Sequence, residues 1–163
     1  MKGEIALTWN KPILTGTIQK EWVDYNGHLN DAEYARIFSL AVDELMIRLG
    51  IDETFRTEQQ YTIYTLETHI LYVLEMHQDS PYKVEAHLID HDAKRLHMFF
   101  TLFDADGNKT ATSEQMLMGI DQSTGRAGNF PEVILEQVLE FKAQSDTKET
   151  PKEIGRVIGI RRK

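Results

Sequence analysis

The residues from Asp31 to Leu49 limit the possible folds of this chain more than any other stretch. Tyr34, Ile37, Phe38, Ala41, Leu45 and Leu49 recur at helical spacing, and Val42, Met46 and Ile47 widen the apolar stripe well beyond one face. A helix that is apolar around so much of its circumference needs cover on most sides. The pattern therefore predicts a central helix, with Gly50 as its stop. The rest of the chain has to supply the cover.

That cover reads as β-sheet. Pro12 to Gln19 is β-branched and bounded by a proline, which predicts a first strand. Asp52 to Gln60 reads as a polar link, and after it the period changes to two. From Thr62 to Leu74 one face carries Tyr64, Leu66, Ile70, Tyr72 and Leu74; the other holds Glu67, His69 and Glu75. Tyr82 to Asp90 alternates again, a turn at His91–Lys94 leads into Arg95 to Phe103, and Asp104-Ala-Asp-Gly107-Asn108 is a strong hairpin signal before a last long strand, Lys109 to Asp121. Gln122 to Phe130 reads as a loop. Pro131 opens a second helix running to about residue 143, a polar stretch to Lys152 is expected to be mobile, and a basic tail occupies residues 154–163. Without repeats or low-complexity segments, the 163 residues predict one domain spanning 1–163. The fold class is α+β: a curved antiparallel sheet wrapped around a central helix.

Composition narrows the function. The net charge of −8 argues against nucleic acid as the partner. No apolar run reaches the roughly 18–20 residues of a membrane span, and Met1 to Trp9 lacks the apolar core of a signal peptide, so the expected location is the cytoplasm. The absence of cysteine removes disulfides, thiol nucleophiles and thiolate-bound metals. Six histidines are present, yet no His-Glu-x-x-His helix, so no metal site is expected. Gly-x-Ser-x-Gly elbows, Gly-rich dinucleotide loops and P-loops are also missing.

Chemistry concentrates between Glu21 and Tyr34. The chain turns on Asn26-Gly27 and enters the central helix with Asn30 as N-cap, while Glu33 can reach back to the cap's own amide. A helix N-terminus offers unpaired N–H groups and partial positive charge, which suits a developing oxyanion. Asp24 stands beside it with a carboxylate that can attack a carbonyl or activate water; it can equally be an Asp that shapes the Asn-Gly turn. His28 and Asn30 can add a donor or hold the water, and Gly27 N–H is a candidate oxyanion donor. Trp22 and Tyr25 flank Asp24 and are candidates for an aromatic cage around a cationic group.

The order Asp24-Tyr-Asn-Gly27-His28-Leu-Asn30, with Tyr34 after it, resembles the Asp-x-x-Gly-His-x-Asn…Tyr entry of the 4-hydroxybenzoyl-CoA thioesterase-like group of hotdog-fold proteins. Within that group the chain is most similar to the carnitine dehydrogenase-associated betainyl-CoA thioesterases. Thr65-Leu-Glu67-Thr-His69, Asp92-Ala-Lys94-Arg95-Leu-His97, Ala111-Thr-Ser-Glu114-Gln115-Met116 and the tail Gly155-Arg156…Ile158…Ile160-Arg161-Arg162 occur in the same order. That family often carries a histidine before the hydrophobic–Asp pair closing the last strand; here Gly119 precedes Ile120-Asp121.

The resemblance implies hydrolysis of a small acyl-CoA, betainyl-CoA first among them, with Asp24, His28 and Asn30 catalytic and Trp22, Tyr25, Gly27 and Tyr34 at the substrate. Lys94, Arg95, Arg161 and Arg162 are the candidate contacts for the phosphates of coenzyme A, which arrives as part of the substrate, so no cofactor is required. It also implies a homodimer or homotetramer, because hotdog sheets pair edge to edge. Three alternatives stay open: a hotdog thioesterase for an aromatic or medium-chain acyl group, a dehydratase, and a non-catalytic acyl-CoA-binding module.

Overall fold

A computed structural model describes residues 9–163; the reading of the N-terminal stretch before Trp9 lies outside them. The elements are β1 (Leu14–Thr17), α1 (Asp31–Leu49), α2 (Glu53–Gln59), β2 (Tyr61–Tyr72), β3 (Pro81–His91), β4 (Arg95–Asp104), β5 (Lys109–Asp121), β6 (Arg126–Ala127) and α3 (Glu132–Ser145). The main strands form one antiparallel sheet in the order β1-β3-β4-β5-β2, with β6 on β5. The sheet curls around α1, and this is the hotdog arrangement. No helix of the described residues is long and apolar enough to cross a membrane.

α1 is central because its apolar circumference is matched by the sheet. Tyr34, Ile37, Phe38, Ala41, Val42, Leu45, Met46 and Leu49 are buried. They meet Val84 and Leu88 of β3, Met98 and Phe100 of β4, and Ala111 and Leu117 of β5 in one core. Truncating a residue as enclosed as Leu45 to alanine should cost about 2–5 kcal/mol. Asn30 caps the start, its Oδ1 accepting from Ala32 N at 3.0 Å. Gly50 ends the helix at φ +98°, where a side chain would be strained. The burial is not all-round: Ile47 lies 52% exposed, so the stripe is narrower than its sequence indicates.

Several boundaries differ from the sequence reading, each for a local reason. The polar link is helix α2, started by Asp52, whose side chain accepts from Phe55 N at 2.8 Å; with Phe55 its one large apolar residue, it shows no periodicity. The second helix runs on to Ser145, and the expected mobility of the polar stretch does not hold there. Ser145 Oγ accepts from Leu88 N at 2.9 Å, so the end of α3 covers β3 beyond the reach of β1. Most consequential is a bulge in β2 between Thr65 and Glu67. One extra residue exchanges the two faces. Tyr64 and Leu66 therefore do not share a side with Ile70 and Tyr72; both stand about half exposed, at 53%.

Candidate active site

Val23 and Leu29 form an isolated antiparallel bridge around the turn Asp24–His28. Asp24 N donates to His28 O at 2.8 Å, Gly27 N to Asp24 O at 3.0 Å, and Gly27 adopts φ +77°, so glycine suits this corner. The Asp24 carboxylate is part of the same construction. Its Oδ1 accepts from Asn26 N at 2.8 Å and from His28 N at 3.2 Å. The turn-shaping role is thus real, and it uses a single oxygen. Oδ2 takes no hydrogen bond among the described residues.

Leaving the turn, Leu29 N donates to Met76 O and Asn30 N to Trp22 O, at 2.7 and 2.9 Å. The second of these replaces the expected return of Glu33 to the cap amide; the Glu33 carboxylate pairs with Arg36 instead. Ala32 N and Glu33 N are satisfied by the Asn30 side chain and carbonyl. Gly27 N–H, expected as an oxyanion donor, is consumed inside its own turn. The amide left without a partner among the described residues at this helix end is that of Asp31, a residue that borders the same cleft as Asp24. Helix dipole and free N–H coincide there.

That cleft, about 360 Å³, is lined by Asp24, His28, Leu29, Asp31, Tyr34, Glu75, Tyr72 at the end of β2, and Val73 and Leu74 just past it. Tyr34 packs its ring edge-on against Tyr72, centroids 5.1 Å apart, and donates its hydroxyl to Leu74 O at 3.2 Å. Burial pushes both phenols above their ordinary pKa, so they remain neutral donors at physiological pH. His28 Nε2 lies 3.4 Å from Glu75 Oε2. The cleft therefore combines a carboxylate with a free oxygen, an imidazole with its own acid, a helix N-terminus and two phenols.

The structure brings Asp24, His28, Asn30, Gly27 and Tyr34 together, and it separates the other expected site residues. Tyr25 points out at the tip of the turn, 97% exposed. Trp22 packs against the core instead of lining the cleft. The proposed cage is not assembled within one chain; Tyr72 and Tyr34 are the rings at the cleft. Lys94 and Arg95 stand at the far end of the sheet. Tyr72 pairs with Ala111 and Arg95 with Met118, seven residues along β5, which is about 23 Å. Arg95 is moreover engaged by Asp92, its Nε 2.6 Å from Oδ2, and this contact, with the Lys94 amide, holds the Asp92 carboxyl down at about 2. Arg161 and Arg162 lie on the exposed tail. The tail is tied to the outer face of the sheet where Gly155 N donates to Glu114 at 2.9 Å and Lys109 pairs with Glu153 at 2.6 Å.

Two neighbours of His28 escaped the sequence reading, Glu75 beside its ring and His77 paired across from it. The alternation Glu75-Met76-His77 puts acid and imidazole on one side of an extended segment. Its pairing with residues 28–29 is long-range and leaves no local mark. Gly119 finds a reason as well. A Cβ there would fall 1.8 Å from the Tyr61 hydroxyl, which donates to Gly128 O at 2.9 Å. Tyr61 fills the space a larger residue at this position would need.

A curled antiparallel sheet around one helix defines a hotdog protein. The model of the thioesterase-like superfamily matches residues 18–138, and the chain belongs to that superfamily. It is 35% identical over 158 residues to a betainyl-CoA thioesterase of Pseudomonas aeruginosa, covering 96% of each chain. It is 33% identical to an L-carnitine dehydrogenase/betainyl-CoA thioesterase of Agrobacterium fabrum, covering 77% of this chain and 26% of that longer protein. Among solved structures, a Staphylococcus aureus protein in complex with CoA superposes with a TM-score of 0.86 at 36% identity, covering 91% of this chain and 94% of the other.

Proposed function

We propose that this protein is an acyl-CoA thioesterase that hydrolyses a small acyl-CoA, betainyl-CoA in particular, to the free acid and coenzyme A in the cytoplasm, within carnitine and betaine metabolism. The observation that carries the reading is the free Oδ2 of Asp24 at the mouth of a cleft closed by the N-terminus of α1. The likeness to a betainyl-CoA thioesterase over nearly the whole chain supports the acyl group. The likeness to a protein solved with CoA supports the carrier.

In this reading the thioester carbonyl lies over the start of α1. Asp24 Oδ2 takes a proton from the attacking water, or attacks the carbonyl itself to give an acyl-Asp24 anhydride that water then hydrolyses, and charge on the carbonyl oxygen develops toward the Asp31 N–H and the helix dipole. His28, oriented by Glu75, donates a proton to the leaving sulfur. Asn30 keeps the helix end in register. The open face of Tyr72 and the ring of Tyr34 suit a trimethylammonium group through cation–π attraction. Coenzyme A comes with the substrate and no other cofactor is called for.

The quaternary state is a homodimer or homotetramer. β2 is an edge strand; Tyr64 and Leu66 on it, and Val73 and Leu74 just past its end, are each about half exposed. Such an edge invites pairing with a second copy. Antiparallel pairing along β2 would carry the Lys94–Arg95 end of the second copy toward this cleft, and with it a route to the phosphates. The exposed Arg161 and Arg162 tail offers another.

Hydrolysis of betainyl-, acetyl-, benzoyl- and decanoyl-CoA by wild type and Asp24→Asn tests the reading. Betainyl-CoA should turn over best. Turnover of a different thioester in its place would overturn the acyl assignment, and no turnover of any would favour a binding module.

A further inference from the structure

Leu29 and Met76 face the core, 6% and 2% exposed, and lie side by side across a backbone hydrogen bond of 2.7 Å. In extended chain the residues flanking an inward side chain point outward. His28 on one segment, and Glu75 and His77 on the other, therefore emerge on one outer surface. His28 and His77 are direct antiparallel partners, ring centroids 4.8 Å apart at 74°. The ligand atoms of His28, Glu75 and His77 all lie within 4.8 Å of one another, and no other such group occurs among the described residues.

We infer that His28, Glu75 and His77 form a binding site for a divalent transition-metal ion, with Zn2+ the best fit. Two imidazoles and a carboxylate are donors of the borderline kind that zinc takes, whereas Mg2+ and Ca2+ favour all-oxygen sites. Tetrahedral bonds of about 2.0–2.1 Å put ligand atoms about 3.4 Å apart. His28 Nε2 and Glu75 Oε2 already stand at 3.4 Å. Small rotations of the exposed Glu75 and His77 side chains bring in the third ligand, and the fourth position stays open to water. The site leaves no mark in the sequence because its ligands come from segments far apart in the chain. A zinc ion here engages His28 and Glu75, both of which line the catalytic cleft, so occupancy blocks hydrolysis. This inhibitory half rests on the thioesterase reading; the binding half does not.

The experiment is calorimetric titration of the untagged protein with ZnCl2, and with MgCl2 as control, for wild type, His77→Ala, Glu75→Gln and His97→Ala. One Zn2+ per chain is expected, with Mg2+ silent. Outer-shell partners alone are worth about 10–100-fold in metal affinity, so loss of a ligand in His77→Ala or Glu75→Gln should weaken binding by about 100-fold. His97→Ala, whose imidazole pairs with Glu114 and is not one of the three ligands, should bind like wild type. Absence of stoichiometric binding, or wild-type affinity in both ligand variants, overturns the site. Hydrolysis followed by loss of thioester absorbance should fall with Zn2+, recover with EDTA, and resist Zn2+ in His77→Ala. Zinc bound stoichiometrically with turnover unchanged overturns the inhibitory half. Should the protein hydrolyse nothing, the functional reading fails while the titration still decides the site.

Discussion

Asp24-Tyr-Asn-Gly27-His28 and Asp104-Ala-Asp-Gly107-Asn108 are the same turn built twice. In each, the Asp amide donates to the carbonyl of the fifth residue, at 2.8 Å in the first and 3.0 Å in the second. In each the glycine N–H returns to the Asp carbonyl, at 3.0 and 3.1 Å, with φ of +77° and +81°. In each, Oδ1 takes two backbone amides: Asn26 and His28 at 2.8 and 3.2 Å, Asp106 and Asn108 at 3.0 and 2.8 Å. The turns differ at the fifth residue and in the element that the chain enters next. Asn108 Nδ2 donates to Asp104 Oδ2 at 3.0 Å and saturates the carboxylate. The His28 ring turns away to Glu75 and leaves Asp24 Oδ2 open, beside the start of α1. Asp-x-x-Gly is thus a code for a turn. In the proposed mechanism, function comes from an open oxygen placed at a helix N-terminus.

The widest gap between the two should appear on removing charge. Asp24→Asn keeps an oxygen acceptor for the turn amides and should lower turnover about 10³-fold, within the range for a general base, with little change in melting temperature. Asp104→Asn should leave turnover at wild-type level. Equal losses from both would mean that the first turn, too, is only a turn. His28→Asn makes the first turn's fifth residue that of the second. Its amide should cap Asp24 Oδ2 as Asn108 caps Asp104, and turnover should fall about 10²-fold while stability holds. Steady-state kinetics beside a thermal melt separates the two effects.

How much of this was legible depends on which interactions are local. The α1 core face, the Gly50 stop, the Asn30 cap and the Asn26-Gly27 and Asp106-Gly107 turns are written within a few residues and were read correctly. The succession of strands along the chain was read too, but not that β2 crosses to the far edge of the sheet and pairs with β5 instead of its sequence neighbour β3. The failures involved contacts between distant segments or a single extra residue. The bulge at Leu66 exchanges the faces of β2, and no residue there announces it. Glu33 chose Arg36 over the cap because Trp22 O already held the Asn30 amide. Glu75 and His77 join His28 only after Met76 pairs with Leu29. The register of β4 on β5, which no local pattern announces, sets Lys94 and Arg95 at the other end of the sheet from their own chain's cleft.

Smaller effects test whether the two turns are equal as structures. A Cβ on Gly27 or Gly107 would meet nothing within 4 Å, so alanine at either site brings backbone strain alone. Each substitution should cost about 1–2 kcal/mol, the penalty for an L-residue in the left-handed region. Denaturant midpoints should fall alike for Gly27→Ala and Gly107→Ala, while turnover falls in the first only. A much larger loss at Gly27 would show that the first turn bears on the core in a way its twin does not.

The smallest effect is in acid. The Asn108 side chain first, and the turn amides after it, hold the Asp104 carboxyl below its ordinary 3.8. A carboxyl depressed in the folded state binds its proton less readily there than in the unfolded chain. Its stabilisation is therefore complete above pH 3.8 and is lost as pH falls through the folded value. Asn108→Ala removes the leading cause of that depression. Wild type should accordingly be the more stable protein at neutral pH, and the gap in urea midpoint should narrow as pH drops below 3.8. A gap that stays constant into acid would mean that Asn108 acts through the turn backbone rather than through Oδ2, and the saturation that distinguishes Asp104 from Asp24 would lose its physical basis.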